Sequence, residues 1–378
     1  MLIPQLIPTI TKESKLLVDK MFEDPTLFNG NTYSTLCENW LSQNMFNNKP
    51  VFLTTSGTRA LELIATAIDI KQNDEIIFPS YTFVGTANPF VLFGATPVFV
   101  DVIEESIGLD HELLEQAITP KTKAIVVVHY NGIGVHIDKL VAIAKKHNIL
   151  LIEDNAQGFM CKYDDKYLGT FADFSILSFN YTKNVQCGEG GALIINNSKY
   201  VGPIEKIYHL GTNRLDFVNK KVSHYEWVCK GSKFYPSQLE AAVLFPQLEK
   251  SSEILGKRKK SWKLYFNLLS ESTILKKHID LPVQFQKCEH TGHIFYIKLK
   301  DKQDKQALVS NLRDSGIIVF SHYTPLHLSE FGKINGVSYG GEISAKISDS
   351  LLRLPIHSQI SNCDIQTVVS AIEGFFTI

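Results

Sequence analysis

The chain has 378 residues, 44% of them hydrophobic and 20% charged, with a formal net charge of -1. That length exceeds what one compact core usually serves, so two domains are expected, and the composition is that of a soluble globular protein. The near-neutral charge argues against a general polyanion binder, no apolar run is long enough to span a bilayer, and the start, MLIPQLIPTITKES, lacks the basic-then-apolar order of a secretory signal, so a cytoplasmic protein with no nucleic-acid and no membrane partner is expected.

In chain order, KPVFLTTSGTRALELIATAIDI reads as strand, turn and helix, the helix carrying Leu61, Ile64, Ala65 and Ile68 at helical spacing. DEIIFPS and TPVFVDV are short buried strands, and KAIVVVHYNG and ILLIEDNAQG are apolar runs with polar ends, separated by the amphipathic helix VHIDKLVAIAKKHN. Strand, helix, strand with buried strands predicts a mostly parallel sheet covered on both faces. Functional groups gather at the carboxyl ends of such strands, where His129, Asp154 and Gln157 fall. DFSILSF and ALIIN predict two further strands around a loop that holds Lys183. Beyond Val243 the pattern changes to one long helix through FPQLEKSSEILGKRKKSWKLYFNLLSE, its basic cluster a solvated face. The strand GHIFYIKL, the helix KQALVSNLRDSG, the strand IIVFSHY and a final helix IQTVVSAIEGFFTI follow. The domains are therefore placed at 1–245, the large one with its N-terminal arm, and 246–378, a smaller α+β unit. Cys37, Cys161, Cys187, Cys229, Cys288 and Cys363 form no CxxC pair, which reads as reduced thiols. No HxxxH or HxxEH occurs and the histidines do not cluster, so no metal site is expected.

Three soft signals carry the chemistry. TTSGTRAL puts small residues where a strand turns into a helix, and backbone N–H groups with the helix dipole favour an anion such as phosphate there. Asp154 ends a strand, in IEDNAQG, where an acid can partner a protonated ring nitrogen. Lys183 sits in SFNYTKNVQCGEGG between two buried strands, a costly place for an ammonium unless it is paired or used. In that order, an anion cradle, a strand-end acid and a lysine suit pyridoxal phosphate: the lysine for the Schiff base, Asp154 for the pyridine nitrogen, the cradle and Ser178 for the phosphate. No GxGxxG follows the first strand, which counts against a nucleotide-dependent oxidoreductase.

The runs SGTRALELIA, FPSYTFVGTANPFVLFGATPVFVDV, IEDNAQG, SFNYTKN, GEGGALI and HYTPLH follow one another over nearly the whole chain. In this the sequence resembles the DegT/DnrJ/StrS sugar-nucleotide aminotransferases, pyridoxal phosphate enzymes of fold type I. The resemblance implies an α/β fold, with a large domain whose mostly parallel sheet is covered by helices and a smaller α+β C-terminal domain. It implies Lys183 as the catalytic, Schiff-base lysine, Asp154 as the ring-nitrogen partner and Gln157 beside the ring hydroxyl. Gly57 and Thr58 match the phosphate cradle, Ser178 a further phosphate contact, and Phe83 the aromatic stacked on the ring. His327, in HYTPLH, matches the substrate region.

The resemblance further implies L-glutamate as amino donor and a homodimer with sites shared between subunits. Where many members carry GYN, with an asparagine reaching the partner's cofactor phosphate, this chain has Gly231, Ser232 and Lys233, so Lys233 becomes the candidate for that contact and Arg214 a substrate contact. Asn180 stands where many members have histidine, and both forms occur in active relatives. Lys183 itself argues against the branch that replaces the lysine and dehydrates. The runs GTNR, GSKFYP and LLRLPI imply, within the family, dTDP-4-dehydro-6-deoxy-D-glucose as acceptor and dTDP-4-amino-4,6-dideoxy-D-galactose as product, in making surface polysaccharide such as O-antigen or enterobacterial common antigen. A 3-keto acceptor or the equatorial 4-amine is the alternative.

Overall fold

The computed structural model describes residues 2–134 and 136–377. Its strands in chain order are β1 (Val51–Thr54), β2 (Glu75–Pro79), β3 (Thr96–Val100), β4 (Thr122–Val128), β5 (Leu150–Asp154), β6 (Lys162–Tyr163) and β7 (Lys166–Tyr167). They continue with β8 (Phe174–Ser178), β9 (Gly191–Ile195), β10 (Ile279–Asp280), β11 (Cys288–Glu289), β12 (Phe295–Leu299), β13 (Val337–Tyr339) and β14 (Leu351–Leu354). The main sheet has eight strands in the order β1-β9-β8-β5-β4-β2-β3-β13. Only β9 runs against its neighbours β1 and β8; the other pairings are parallel.

Alternation explains why these apolar runs are strands with both faces covered. On β2 and β4, Ile76, Phe78, Ala124 and Val126 pack into one core while Ile77, Ile125 and Val127 pack into another on the opposite face. The helix Gly57–Ala67 lies on the first face and the helix Ile137–His147 on the second. Because the strands are parallel, the carboxyl ends of β1, β2, β4, β5 and β8 share one edge, and the segments after them form one rim.

A second, three-stranded sheet β10-β12-β14 has its own core, in which Trp262, Tyr265, Phe295, Leu308, Leu352 and Val368 are buried. One strand from the C-terminal part, β13, nevertheless joins the large sheet beside β3. None of the helices is long and apolar enough to cross a membrane among the described residues.

Three expectations change. The long helix after Val243 is two helices, Gln238–Glu249 and Ser251–Glu271, parted at Lys250. Leu244 and Leu248 bury against the N-terminal helices, whereas Trp262, Tyr265 and Leu269 bury in the small core, and one straight axis does not serve both. The basic cluster is not all solvated: Arg258 is 2% exposed and donates to the carbonyls of Gly292, His293 and Ile356 at 3.1, 2.6 and 3.3 Å. IIVFSHY is not a regular strand. It makes single bridges, Ile317 to Ile3 and Phe320 to Arg353, and then leaves toward the rim.

Candidate active site

A cavity of about 590 Å³ opens at the rim and is lined by the segments that follow β1, β2, β5 and β8. One end of it is the start of the helix Gly57–Ala67. Ser56 is the N-cap, its Oγ accepting from Arg59 N at 3.1 Å, which leaves the Gly57 and Thr58 N–H groups at the cavity wall. Two glycines make the close approach possible. A Cβ at Gly191 would sit 2.4 Å from Gly57 N, and one at Gly85 would sit 2.9 Å from the Phe83 ring and 3.0 Å from Thr58 Oγ1. Phe83 is 57% exposed, an aromatic face open to the cavity rather than packed in the core.

Asp154 is the last residue of β5 and is buried. Thr86 Oγ1 donates to its Oδ2 at 2.7 Å and Ala156 N to its Oδ1 at 3.1 Å, so its carboxylate is held from two sides. Gln157 is fixed at both ends of its amide: Oε1 accepts from Asn131 N at 2.8 Å and Nε2 donates to Tyr323 Oη at 3.3 Å. His129, also at a strand end, turns away and pairs with the buried Glu153 at 2.9 Å.

Lys183 is delivered by a turn that the sequence builds itself. Asn180 Oδ1 accepts from Thr182 N at 3.1 Å and from Thr182 Oγ1 at 2.8 Å, and Lys183 N donates to Asn180 O at 2.8 Å. An asparagine is suited to such a side-chain-closed turn. Lys183 lies in the cavity wall, and burial lowers its ammonium to about 8; the Asp154 carboxylate opposes that shift and the Arg353 guanidinium adds to it. Near neutrality roughly a tenth of such an amine is unprotonated, against about one part in a few thousand for an ordinary lysine.

The far wall comes from the C-terminal part of the chain: His293, His322, Tyr323 and Arg353. Burial, with help from Arg353 and Lys183, pushes His322 down to about 2, so it is neutral, and burial pushes Tyr323 up to about 12. His322 Nε2 is 3.0 Å from Tyr130 Oη, and Nδ1 is 3.5 Å from Arg353 Nη1.

Of the residues singled out in the sequence, Gly57, Thr58, Phe83, Asp154, Gln157, Ser178 and Lys183 line this one cavity. Arg214 and Lys233 line a different cleft, of about 910 Å³, beside Glu38 and Tyr235. Lys233 Nζ stands 5.3 Å from the Tyr235 ring centre. His327 lies outside both linings, hydrogen-bonded to Ser80 Oγ. Its motif still contributes, through His322 and Tyr323. Arg353 was missed, although an arginine inside the apolar run LLRLPI is the same kind of signal that drew attention to Lys183.

The donor set fits pyridoxal phosphate: an N–H cradle kept open by glycine, a flat apolar face, a held carboxylate and a lysine of lowered proton affinity share one cavity. A sequence model of the DegT/DnrJ/EryC1/StrS aminotransferase family matches residues 8–373. An uncharacterized protein of Methanocaldococcus jannaschii, MJ1066, is 30% identical over 347 residues, covering 88% of this chain and 87% of that protein. Among solved structures, Helicobacter pylori PseC, an aminotransferase involved in the biosynthesis of pseudoaminic acid, superposes with a TM-score of 0.91 at 24% identity over 100% of both chains. Spr1654 of Streptococcus pneumoniae, in its PLP-form, does so with a TM-score of 0.89 at 23% identity, over 100% of this chain and 99% of that one.

Proposed function

We propose, since this chain belongs to the DegT/DnrJ/EryC1/StrS aminotransferase family and is a pyridoxal phosphate-dependent sugar aminotransferase, that it moves nitrogen from L-glutamate to carbon 4 of dTDP-4-dehydro-6-deoxy-D-glucose. The product is dTDP-4-amino-4,6-dideoxy-D-galactose, used in building surface polysaccharide. The observation that carries the reading is the gathering of Lys183, Asp154, Gln157 and the Gly57–Thr58 cradle around one cavity. The choice of sugar is supported by the runs Gly211–Arg214 and Gly231–Pro236 in the sequence.

Bound there, the cofactor supplies a carbonyl that holds the nitrogen and a ring that accepts charge from the carbon losing its proton. Asp154, held by Thr86 and Ala156 N, would be the partner of the protonated ring nitrogen. Of the residues that line the cavity, Gln157 would sit beside the ring hydroxyl, Phe83 would pack on the ring face, and Ser178 with the Gly57 and Thr58 N–H groups would hold the phosphate. Lys183 would be the amine that holds the cofactor at rest. Freed by the donor's amine, it would take the proton from the donor's α-carbon, and in the return half it would deliver a proton to carbon 4 of the sugar. Its lowered proton affinity suits both duties, because the amine is neither locked as an ammonium nor too weak a base.

The working unit in this reading is a homodimer in the cytoplasm, with the segment 214–233 crossing to the partner's site. Trp227, on that segment, is 77% exposed and Val218 63%, an apolar display that a second subunit would cover. Lys233 and Arg214 then supply cations for the partner's cofactor phosphate or the substrate diphosphate, and His327 lies near the path of the substrate.

The test is to incubate the cofactor-loaded protein with L-glutamate and a panel of nucleotide-linked keto sugars and to identify the product by NMR. The expected result is an axial amine at carbon 4 of the dTDP sugar. Consumption of a 3-keto isomer alone, or an equatorial amine, would replace the proposed acceptor or stereochemistry and leave the reaction class standing.

A further inference from the structure

Lys183 is followed by Asn184, which opens a buried chain of side chains, Asn184, Thr291 and His293, whose hydrogens can be assigned one by one. The Phe159 carbonyl takes its hydrogen from Thr291 Oγ1 at 3.3 Å, since the Cys161 thiol, at 3.9 Å, is a weak donor. With that hydrogen spent, Thr291 Oγ1 accepts from Asn184 Nδ2 at 3.2 Å, and this turns Asn184 Oδ1 toward His293 Nδ1 at 3.0 Å. An amide oxygen only accepts, so Nδ1 carries the hydrogen of the ring. Burial, and then the nearby Lys183, Arg258, Arg353 and His322, push the proton affinity of His293 well below that of an ordinary histidine, so the ring is neutral and Nε2 is bare.

His293 lines the catalytic cavity, and among the described residues its Nε2 meets no donor. Lys183 Nζ, in the same wall, meets no acceptor among them. We propose that His293 is the positioning residue of Lys183: its Nε2 accepts a hydrogen bond from the lysine amine whenever that amine is free of the cofactor, and so aims it at the carbons whose protons it moves. This rests on the reading of Lys183 as the proton carrier of an aminotransferase.

The backbone ties the two together. The loop that carries the lysine also carries Asn184, which sets the tautomer of the ring, and the ring's own strand is docked by Ile294 N donating to Asn131 Oδ1 at 3.0 Å. The acids of the cavity wall are engaged elsewhere, Asp154 by Thr86 and Ala156 N and Glu189 by Asn180 Nδ2 at 2.7 Å. The chemistry favours an imidazole over an acid here. A carboxylate beside the freed amine would hold it as an ammonium, whereas a neutral ring nitrogen takes an N–H from the amine and from the ammonium alike. A lysine on its flexible four-carbon stem has no direction of its own, and one accepted N–H supplies it.

Two substitutions divide the ring between its neighbours. His293→Asn keeps an N–H at the place of Nδ1, for Asn184, and offers nothing at the place of Nε2. His293→Gln reaches the place of Nε2 with an oxygen and gives up the N–H to Asn184. In the cofactor-loaded enzyme with L-glutamate, His293→Asn is expected to lower kcat roughly 10- to 100-fold with KM within about 3-fold, and His293→Gln to lose less than about 5-fold. Equal losses, or the reverse order, would overturn the proposal and leave the ring as a brace for Asn184. The second readout needs no turnover and no folded His293 variant. In cofactor-free protein with nitrogen-15-labelled histidine, one buried ring should show a protonated Nδ1 and a bare Nε2 whose resonance moves when Lys183→Ala removes the donor. Loading the wild type with cofactor, which ties up the amine, should move it the same way. A protonated Nε2, or a bare one that both changes leave in place, overturns the contact. If the wild type took no nitrogen from glutamate, the functional reading would fall, and the nitrogen-15 resonances would still judge the contact between His293 and Lys183.

Discussion

The cavity around Lys183 and the segment 214–233 both carry cations, and they are built in opposite ways. Around Lys183, Asp154 hangs from a strand end and Lys183 from a closed turn, and both are held by neighbours of the same chain. In the segment 214–233 the helix Arg214–Val218 is short, Trp227 and Val218 face outward, and Arg214 and Lys233 look into a cleft separate from the catalytic one. A group whose backbone is pinned by the sheet can be finished by one chain. A group on an outlying segment acts on the chemistry only where something brings it there, and for Lys233 we propose the second subunit.

The sharpest way to break this comparison is to remove the inner cation. Lys183→Ala should still take up the cofactor, because the cradle and Asp154 remain, yet lose turnover by at least roughly 10²–10⁴-fold, since a positioned proton carrier is gone. Near-normal activity would sink the mechanism. The outer cation is tested by mixing. Lys183→Ala and Lys233→Ala proteins, both expected to be impaired alone, are combined under conditions of demonstrated subunit exchange. If sites are shared, a mixed dimer holds both lesions in one site and an intact second site, so activity returns toward about half of wild type. No recovery, or a fully active Lys233→Ala protein alone, removes Lys233 from the shared site.

The smallest effect sharpens the inner region alone. Because burial lowers the Lys183 ammonium to about 8, the neutral amine that captures the cofactor grows as pH rises through that value. The capture rate of cofactor-free protein should therefore climb close to tenfold per pH unit up to about pH 8 and then level off, measured by stopped-flow absorbance. A rise that continues unchanged to pH 10 would mean an ordinary, solvated lysine.

The legible part of the site follows the same division. Asp154, Gln157 and Lys183 could be read because parallel strands send their carboxyl ends to one edge, and local sequence marks those ends. Seven of the eight strands of the large sheet were legible for the same reason, through apolar runs bounded by polar residues; the eighth, β13, is short and largely exposed and carries no such run. His322, Tyr323 and Arg353 could not be placed that way. They reach the cavity because the small sheet and the irregular IIVFSHY segment pack across the rim, and no local pattern encodes that packing. The break at Lys250 escaped for a related cause: helical periodicity runs through it, and only the separate positions of two cores force the bend. Arg258 looked like one of four surface cations, and its burial depends on carbonyls over thirty residues away.

The central claim is that Lys183 is the amine that bonds the cofactor and gives way to an amino-acid donor. Cofactor-loaded protein is treated with borohydride, digested, and mapped by mass spectrometry, with and without prior exposure to L-glutamate. The account predicts the reduced cofactor on Lys183 alone, and its near-complete loss after glutamate, because the nitrogen has then passed to the cofactor and left nothing on the lysine to reduce. A tag on any other lysine, or a Lys183 tag that glutamate leaves undiminished, would contradict it.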